Sequence, residues 1–198
     1  MQTDLFGASP RATVPLGLAY ADDVLTAAEE VALVAHLEDV DVAPFRFQGW
    51  LGKRQTASFG WRYDFDDASF GPTEPIPAFL APLRDRAARF AGLAADDLVQ
   101  VLVTRYDPGA GIGWHRDRPV FEHVVGISLE APATLRLRRR TGQMFERAAL
   151  PLAPRSIYHL HDAARHEWEH SIVEMTERRW SVTFRSLSVK GLRKLQSA

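Results

Sequence analysis

The chain is 198 residues long with 46% hydrophobic and 25% charged residues, which fits one globular domain and argues against a mainly disordered chain. Its 24 basic and 25 acidic residues leave a net charge of -1, so no global field marks out a nucleic-acid or membrane partner. Cysteine is absent, which excludes disulfide scaffolds, zinc ribbons and thiol catalysis and leaves His and carboxylate side chains as the candidate metal ligands.

Residues 1–17 are polar, spaced by Pro and Gly and without period, and are expected to form a flexible arm ahead of a single domain over 18–192. No basic segment leads into an apolar run, and no apolar stretch reaches the ~18 residues of a spanning helix. A cytoplasmic monomer with no membrane contact is therefore expected. Asp22 or Asp23 is a candidate helix cap, followed by apolar Leu25, Ala28, Val31, Leu33, Val34 and Leu37 at near-helical spacing over 24–37. A second helix is predicted over 76–91, with Pro77 near its start and Phe79, Leu80, Leu83, Ala87 and Phe90 as its apolar stripe. The period then falls to two. Val99, Val101 and Val103 alternate in a run ending at Tyr106, and strands are predicted over 124–129, 134–138, 147–152, 156–160 and 180–187, separated by turn residues such as Asp107-Pro108-Gly109 and Thr141-Gly142. Helices followed by many short strands read as α+β, with the N-terminal helices packed on a sandwich or barrel-like sheet.

The most informative segment runs from Gly111 to Asp117. His115 and Asp117 are two apart, so an extended backbone projects both to one face, where an imidazole nitrogen and a carboxylate oxygen can meet one ion. Alone, the pair reads equally as an exposed ion pair at a strand end. His170, ahead of another strand-like run, changes that reading. Two His and one Asp on adjacent strands make the facial triad that holds non-haem Fe(II) with open positions for other ligands. Downstream, Arg179 and Arg185 are six apart, which puts both on one face of a strand while Trp180, Val182 and Phe184 take the other. Inward guanidiniums are costly unless they meet anions, and a dicarboxylate would satisfy them by charge-assisted bonds. A solvent-facing arginine pair is the alternative.

The segments Arg105-Tyr106-Asp107-Pro108-Gly109, Trp114-His115-Arg116-Asp117, His170-Ser171-Ile172 and Arg179 to Arg185 occur in one order, and together they resemble the AlkB family over roughly residues 45–188. The resemblance implies a double-stranded β-helix (jelly-roll) core and a dioxygenase dependent on Fe(II), 2-oxoglutarate and dioxygen. It implies that His115, Asp117 and His170 ligate iron. It places Arg179 and Arg185 on 2-oxoglutarate, assisted by Tyr106 and Thr104, with Arg185 nearer the metal. It implies oxidative demethylation of N-alkylated nucleic-acid bases, single-stranded for preference, as in alkylation-damage DNA repair, with formaldehyde, succinate and CO2 released. The same chemistry on a protein side chain or small molecule, or a catalytically silent binding module, are the competing expectations.

Two positions depart from the family pattern. Members that repair bases often carry an acidic residue two positions after the metal Asp, where this chain has Pro119, with Glu122 the nearest replacement. The usual Asn two residues before the motif tyrosine is Thr104, which keeps a hydroxyl. The segment over 45–63 occupies the family's substrate-lid position. Lys53 and Arg54 are candidates for phosphate contact, and Trp61 and Tyr63 for base stacking, against the plainer reading of a hairpin with a charged turn. Trp168, two before His170, is either a wall of the iron pocket or a core aromatic. Arg136, Arg138 and Arg140 share one strand face and read as phosphate contacts or as a charged, solvated edge. His159, His161 and Asp162 are expected to line the strand end before the iron site, and His36, His123 and His166 to be surface or structural.

Overall fold

The structure, a computed structural model, describes residues 14–47, 50–63 and 69–195. Most of the arm expected over 1–17 lies outside the described residues. Its last residues are anchored: the carbonyls of Leu16 and Gly17 accept hydrogen bonds from the backbone of Ala164 and His161. Strand β1 (Leu18–Ala21) follows directly.

Helix α1 (Ala27–Glu38) begins later than the expected residue 24, and Thr26, not Asp22 or Asp23, is its cap. The Thr26 side chain accepts from Glu29 N at 3.2 Å while the Glu29 carboxylate accepts from Thr26 N at 2.7 Å, a reciprocal capping box. The aspartates are engaged elsewhere. Asp22 accepts from the Tyr20 hydroxyl, and Asp23 pairs with Arg155 at 3.1 Å. Helix α2 (Ala81–Ala91) also starts late, with Ala78–Leu80 forming a 3-10 turn ahead of it. Pro82 explains the change of register, because it has no N–H for the carbonyl four residues back and its ring crowds that carbonyl. Gly92, in the left-handed region, closes the helix.

Every period-two run forms a strand. Between the helices lie β2 (Ala43–Phe47), β3 (Trp50–Phe59), β4 (Trp61–Tyr63) and β5 (Phe70–Pro72). After α2 come β6 (Leu98–Tyr106), β7 (Ile112–His115), β8 (Phe121–Glu130), β9 (Ala133–Thr141), β10 (Met144–Leu152) and β11 (Ser156–Leu160). The short helix α3 (Asp162–His166), β12 (Glu169–Ile172), β13 (Arg179–Leu187) and α4 (Val189–Leu195) complete the described chain. A large antiparallel sheet has the order β1-β11-β8-β13-β6-β3-β2, a smaller one β10-β9-β12-β7, and β4 pairs with β5.

The two larger sheets face each other as a jelly roll. Val124 and Leu160 of the large sheet pack against Leu135, Leu137 and Ile172 of the small one. The outer face of the large sheet packs on α1 and α2 through Val101, Val103, Ile127, Val182 and Phe184, with Leu33, Leu37, Leu83 and Ala87 from the helices. Strand β13 is thus covered on both sides. Alternation sends Trp180, Val182 and Phe184 to the helices, and Arg179 and Arg185 into the roll. No helix of the described residues is long and apolar enough to cross a membrane.

Candidate active site

The interior of the roll opens into a cavity of about 1780 Å³ lined by Arg179, His115, Asp117 and His170 and, beyond them, by Arg54 and Tyr63. That exceeds the ~300–1,000 Å³ of ordinary small-molecule pockets, so a co-substrate such as 2-oxoglutarate would fill only part of it.

The floor is built by strand pairing. In the antiparallel register of β7 and β12, His115 lies directly opposite His170, so both imidazoles project inward with ring centroids 4.2 Å apart. Asp117 follows just past the end of β7, and its Oδ2 stands 3.8 Å from His170 Nε2. Its Oδ1 accepts from both Nη2 (2.8 Å) and Nε (3.1 Å) of Arg185. Oδ2 is buried without a hydrogen-bond partner. His115 Nδ1 lies 2.9 Å from the Gly113 carbonyl, so as a donor to it the ring leaves Nε2 as the lone-pair nitrogen.

Electrostatics sharpen the picture. Burial, then the neighbouring His115, push His170 down to about 3, and burial also lowers His115, so both rings are neutral at pH 7. Burial alone would raise Asp117, but Arg185, His170, His115 and Arg165 together hold it below the usual carboxylate range. Among the described residues no three His, Asp or Glu side chains already have the arrangement of a formed metal site. The donor chemistry nevertheless fits a divalent cation. An orphaned carboxylate oxygen and two neutral imidazoles meet at the cavity floor, and a cation would give Oδ2 the partner it lacks.

Deeper in the cavity, Arg179 is 1% exposed. Its Nε donates to Ser128 Oγ at 2.9 Å and its guanidinium lies 5.2 Å from the Tyr106 ring centroid, yet it pairs with no carboxylate among the described residues. A buried cation in that position is costly until an anion joins it. Thr104 is buried beside it on β6, opposite Ser181. At the other end of β13, Arg185 is fixed beside Asp117, since its Nη1 also donates to Gln100 Oε1 at 2.9 Å.

The candidates for substrate contact divide. Arg54 lies 3.8 Å over the Phe45 ring in the cavity wall, and burial lowers the pKa of its guanidinium. Tyr63 lines the cavity beneath Arg118, 4.7 Å away. Lys53 is exposed and paired with Glu174 at 3.1 Å. Trp61 stacks on Phe70 at 5.3 Å and does not line the cavity. Trp168 is a core aromatic, 2% exposed and covered by Arg139, because it packs into the apolar cluster between the sheets instead of facing the pocket. Glu122 is held by His166 at 2.8 Å, away from the lining residues. The His159 cluster also departs from expectation. His159 pairs with Val125 across β11 and β8, on the face of Ile157 and not of Tyr158, so alternation turns it away from the iron site. There it meets His123 at 2.9 Å, while His161 pairs with Asp162. His36 stacks on Phe79.

Further residues complete the site without belonging to any motif. Gln100 holds Arg185 and donates to Ser58 Oγ at 2.9 Å; Ser128 holds Arg179. Tyr158 leans across Gly126, where a Cβ would fall 2.3 Å from the ring, and burial pushes its hydroxyl up to about 12. Arg165 donates to the carbonyls of Arg118 and Phe121, both at 2.7 Å, tying the loop after Asp117 to α3 ahead of His170. The signal for Gln100 and Ser128 is parity. Each is a small or polar residue on the inward set of a strand whose other set is Val, Ile or Leu.

A jelly roll whose cavity gathers two histidines, an aspartate and a buried arginine that pairs with no carboxylate among the described residues has the donor set expected of an Fe(II)- and 2-oxoglutarate-dependent dioxygenase. Residues 18–191 match the 2OG-Fe(II) oxygenase superfamily, and the chain belongs to it. Fe(II), 2-oxoglutarate and dioxygen are therefore its cofactor and co-substrates. Within the superfamily the chain is AlkB-like. It is 26% identical over 182 residues to the alkylated DNA repair protein ALKBH8 homolog of Arabidopsis thaliana, covering 79% of this chain and 50% of that protein. It is 26% identical over 166 residues to the tRNA (carboxymethyluridine(34)-5-O)-methyltransferase alkbh8 of Xenopus tropicalis, covering 81% of this chain and 26% of the relative. The chain thus spans half or less of these proteins. The solved structure of OsALKBH1 superposes with a TM-score of 0.66 at 15% identity, covering 86% of this chain and 98% of that one, which shows the shared fold.

Proposed function

We propose that the chain oxidatively demethylates N-alkylated bases in nucleic acid. The observation that carries the reading is the shape of one cavity. Its floor holds His115, Asp117 and His170, its depth holds Arg179, and its lining adds Arg54, stacked on Phe45 with no carboxylate partner among the described residues. A flat, half-buried cation in the wall suits the phosphate next to a base inserted into the pocket. The names of the relatives speak of alkylated DNA and of tRNA, which supports nucleic acid as the shared substrate class.

In this reading His115, Asp117 and His170 hold the iron, and Arg179 takes a carboxylate of 2-oxoglutarate with Tyr106 and Thr104 beside it. Arg185 fixes the Asp117 carboxylate through Oδ1, leaving Oδ2 for the metal, and is itself held by Gln100. The chemistry supplied by bound Fe(II) with 2-oxoglutarate is dioxygen activation, with succinate and CO2 as by-products. The buried walls exclude water, and the lining orients the methyl group toward the floor. A hydroxylated N-methyl carbon then breaks down to formaldehyde and the unmethylated base.

The test is protein loaded anaerobically with Fe(II) and 2-oxoglutarate, then exposed to air with an N-methylated single-stranded oligonucleotide, with mass spectrometry as the readout. Loss of a methyl mass with the wild type and not with Asp117→Ala is the expected result. Succinate formation beside an unchanged oligonucleotide would keep the oxygenase and overturn nucleic acid as its substrate.

A further inference from the structure

We propose that the outer face of the small sheet is a track for single-stranded nucleic acid, carrying the strand that flanks a base held in the cavity. This rests on the nucleic-acid reading above.

The face follows from alternation. On β9, Leu135 and Leu137 pack inward, so Arg136, Arg138 and Arg140 point out. On β10, Ala148 and Leu150 pack inward, so Phe145 and Arg147 point out, and on β7 Trp114 is on the opposite face from His115. Among the described residues α1 and α2 pack on the other sheet, and here Phe145 is 38% exposed.

Cations and rings alternate along this face. Arg136 and Arg138 lie 5.0 and 4.5 Å from the Trp114 ring, and Arg138 and Arg147 lie 4.6 and 5.7 Å from the Phe145 ring. The charges are unbalanced. Arg138 has Glu169 at 2.6 Å, but Arg136, Arg140 and Arg147 pair with no carboxylate among the described residues. Arg147 also sits directly opposite Arg138 in the register, a like-charge cross-strand pair that costs stability in the free protein. A polyanion with flat faces answers both features. Phosphates relieve the arginines, and bases stack on rings and guanidinium planes. An acidic peptide would answer only the first.

Reach and continuity fit the same occupant. Trp114 and Phe145 stand on the two edge strands of the sheet order β10-β9-β12-β7, and their rings converge on the Arg138 guanidinium at 4.5 and 4.6 Å, a compact platform for a base and its flanking phosphates. Trp114 and Arg136 also line the rim of the cavity that contains His115.

The experiment compares binding and demethylation of an N-methylated trinucleotide and an N-methylated oligonucleotide of roughly 12 nucleotides, long enough to span the face. The variants are Arg140→Glu/Arg147→Glu and Phe145→Ala, which touch no residue of the site, and anisotropy is read across a salt series. The charge variant should weaken binding of the longer strand about tenfold or more and lower its log-log salt slope by about 1–2, with demethylation of the trinucleotide and 2-oxoglutarate affinity unchanged. Phe145→Ala should weaken the longer strand by about 5- to 100-fold at fixed salt slope. If the wild type demethylates both lengths and the variants match it on both, the track is overturned and the proposed activity stands. If the wild type converts neither, the activity itself fails and the track falls with it. Capture of polyglutamate in place of oligonucleotide through the same arginines would assign the face to an acidic protein and overturn the proposal.

Discussion

Strands β13 and β9 both carry arginines at alternate positions, in opposite surroundings. On β13, Arg179 and Arg185 point into the roll and are 1% and 8% exposed, because the other set of residues, Trp180, Val182 and Phe184, is taken by the helix-covered face. On β9 the inward set is Leu135 and Leu137, and Arg136, Arg138 and Arg140 face out. The same residue type at the same period therefore means different things. What covers the strand decides whether its polar set serves a buried ligand or the outside. Inward arginines carry a desolvation cost that a bound anion offsets, whereas outward ones repel one another, a cost that the Arg138–Glu169 pair relieves in part.

The largest expected effect separates the site from its scaffold. Asp117→Ala removes the carboxylate oxygen that lacks a partner, and should abolish both Fe(II) retention, read anaerobically by metal analysis, and succinate formation. Retained metal and turnover would move the carboxylate ligand elsewhere. Next comes the covered face of the same strand. Phe184→Ala, next to Arg185 but pointing at the helices and 0% exposed, should cost about 3–5 kcal/mol of stability by denaturant titration. The folded fraction should bind 2-oxoglutarate as the wild type does, and a selective loss of that affinity would contradict the division of β13 into a packing set and a ligand set.

That division is legible in the amino-acid sequence, and so is most of the site. An even spacing between Arg179 and Arg185, with aromatics and Val between, has one meaning on a strand. His115 and Asp117 two apart, joined by His170, likewise need only extended backbone. Less legible is anything set by which strands become neighbours. His159, His161 and Asp162 are expected in sequence to line the strand end before the iron site, but the pairing of β11 with β8 turns His159 to the other face. Trp168 shares parity with His170 yet ends in the core, because the chain bends through α3 just before it and the small sheet closes over it. Parity turns Gln100 and Ser128 inward, but which arginine each one holds depends on register across β6, β13 and β8, which no local spacing specifies. Helix α1 starts later than its spacing implies because Thr26 and Glu29 close a capping box, while Asp22 and Asp23 are held by Tyr20 and Arg155.

A smaller effect belongs to the inward arginines. Arg179→Ala should raise the 2-oxoglutarate KM and its anaerobic Kd by roughly 10- to 100-fold, the loss of a charge-assisted contact of about 1.5–3 kcal/mol. Equal affinities would place the co-substrate's anchor elsewhere in the cavity, with Arg185 the next to change.

The smallest effect probes an ionisable side chain on the covered side of the large sheet. Burial first, then His161 and His123, push the His159 ring from 6.5 down to about 4. The unfolded chain takes up a proton at this position near pH 6.5, while the folded chain does so only near pH 4. Across that window the unfolded state holds more protons, so the stability from keeping the ring neutral is present above pH 6.5 and is lost as the pH falls toward 4. His159→Gln keeps a polar group beside His123 and removes the titration. Its Tm should fall less steeply than that of the wild type over the same acid range. Parallel curves would shift the acid sensitivity onto His123, whose ring is also lowered by burial, and would mean that the histidine pair opens to water before the sheet beneath it gives way.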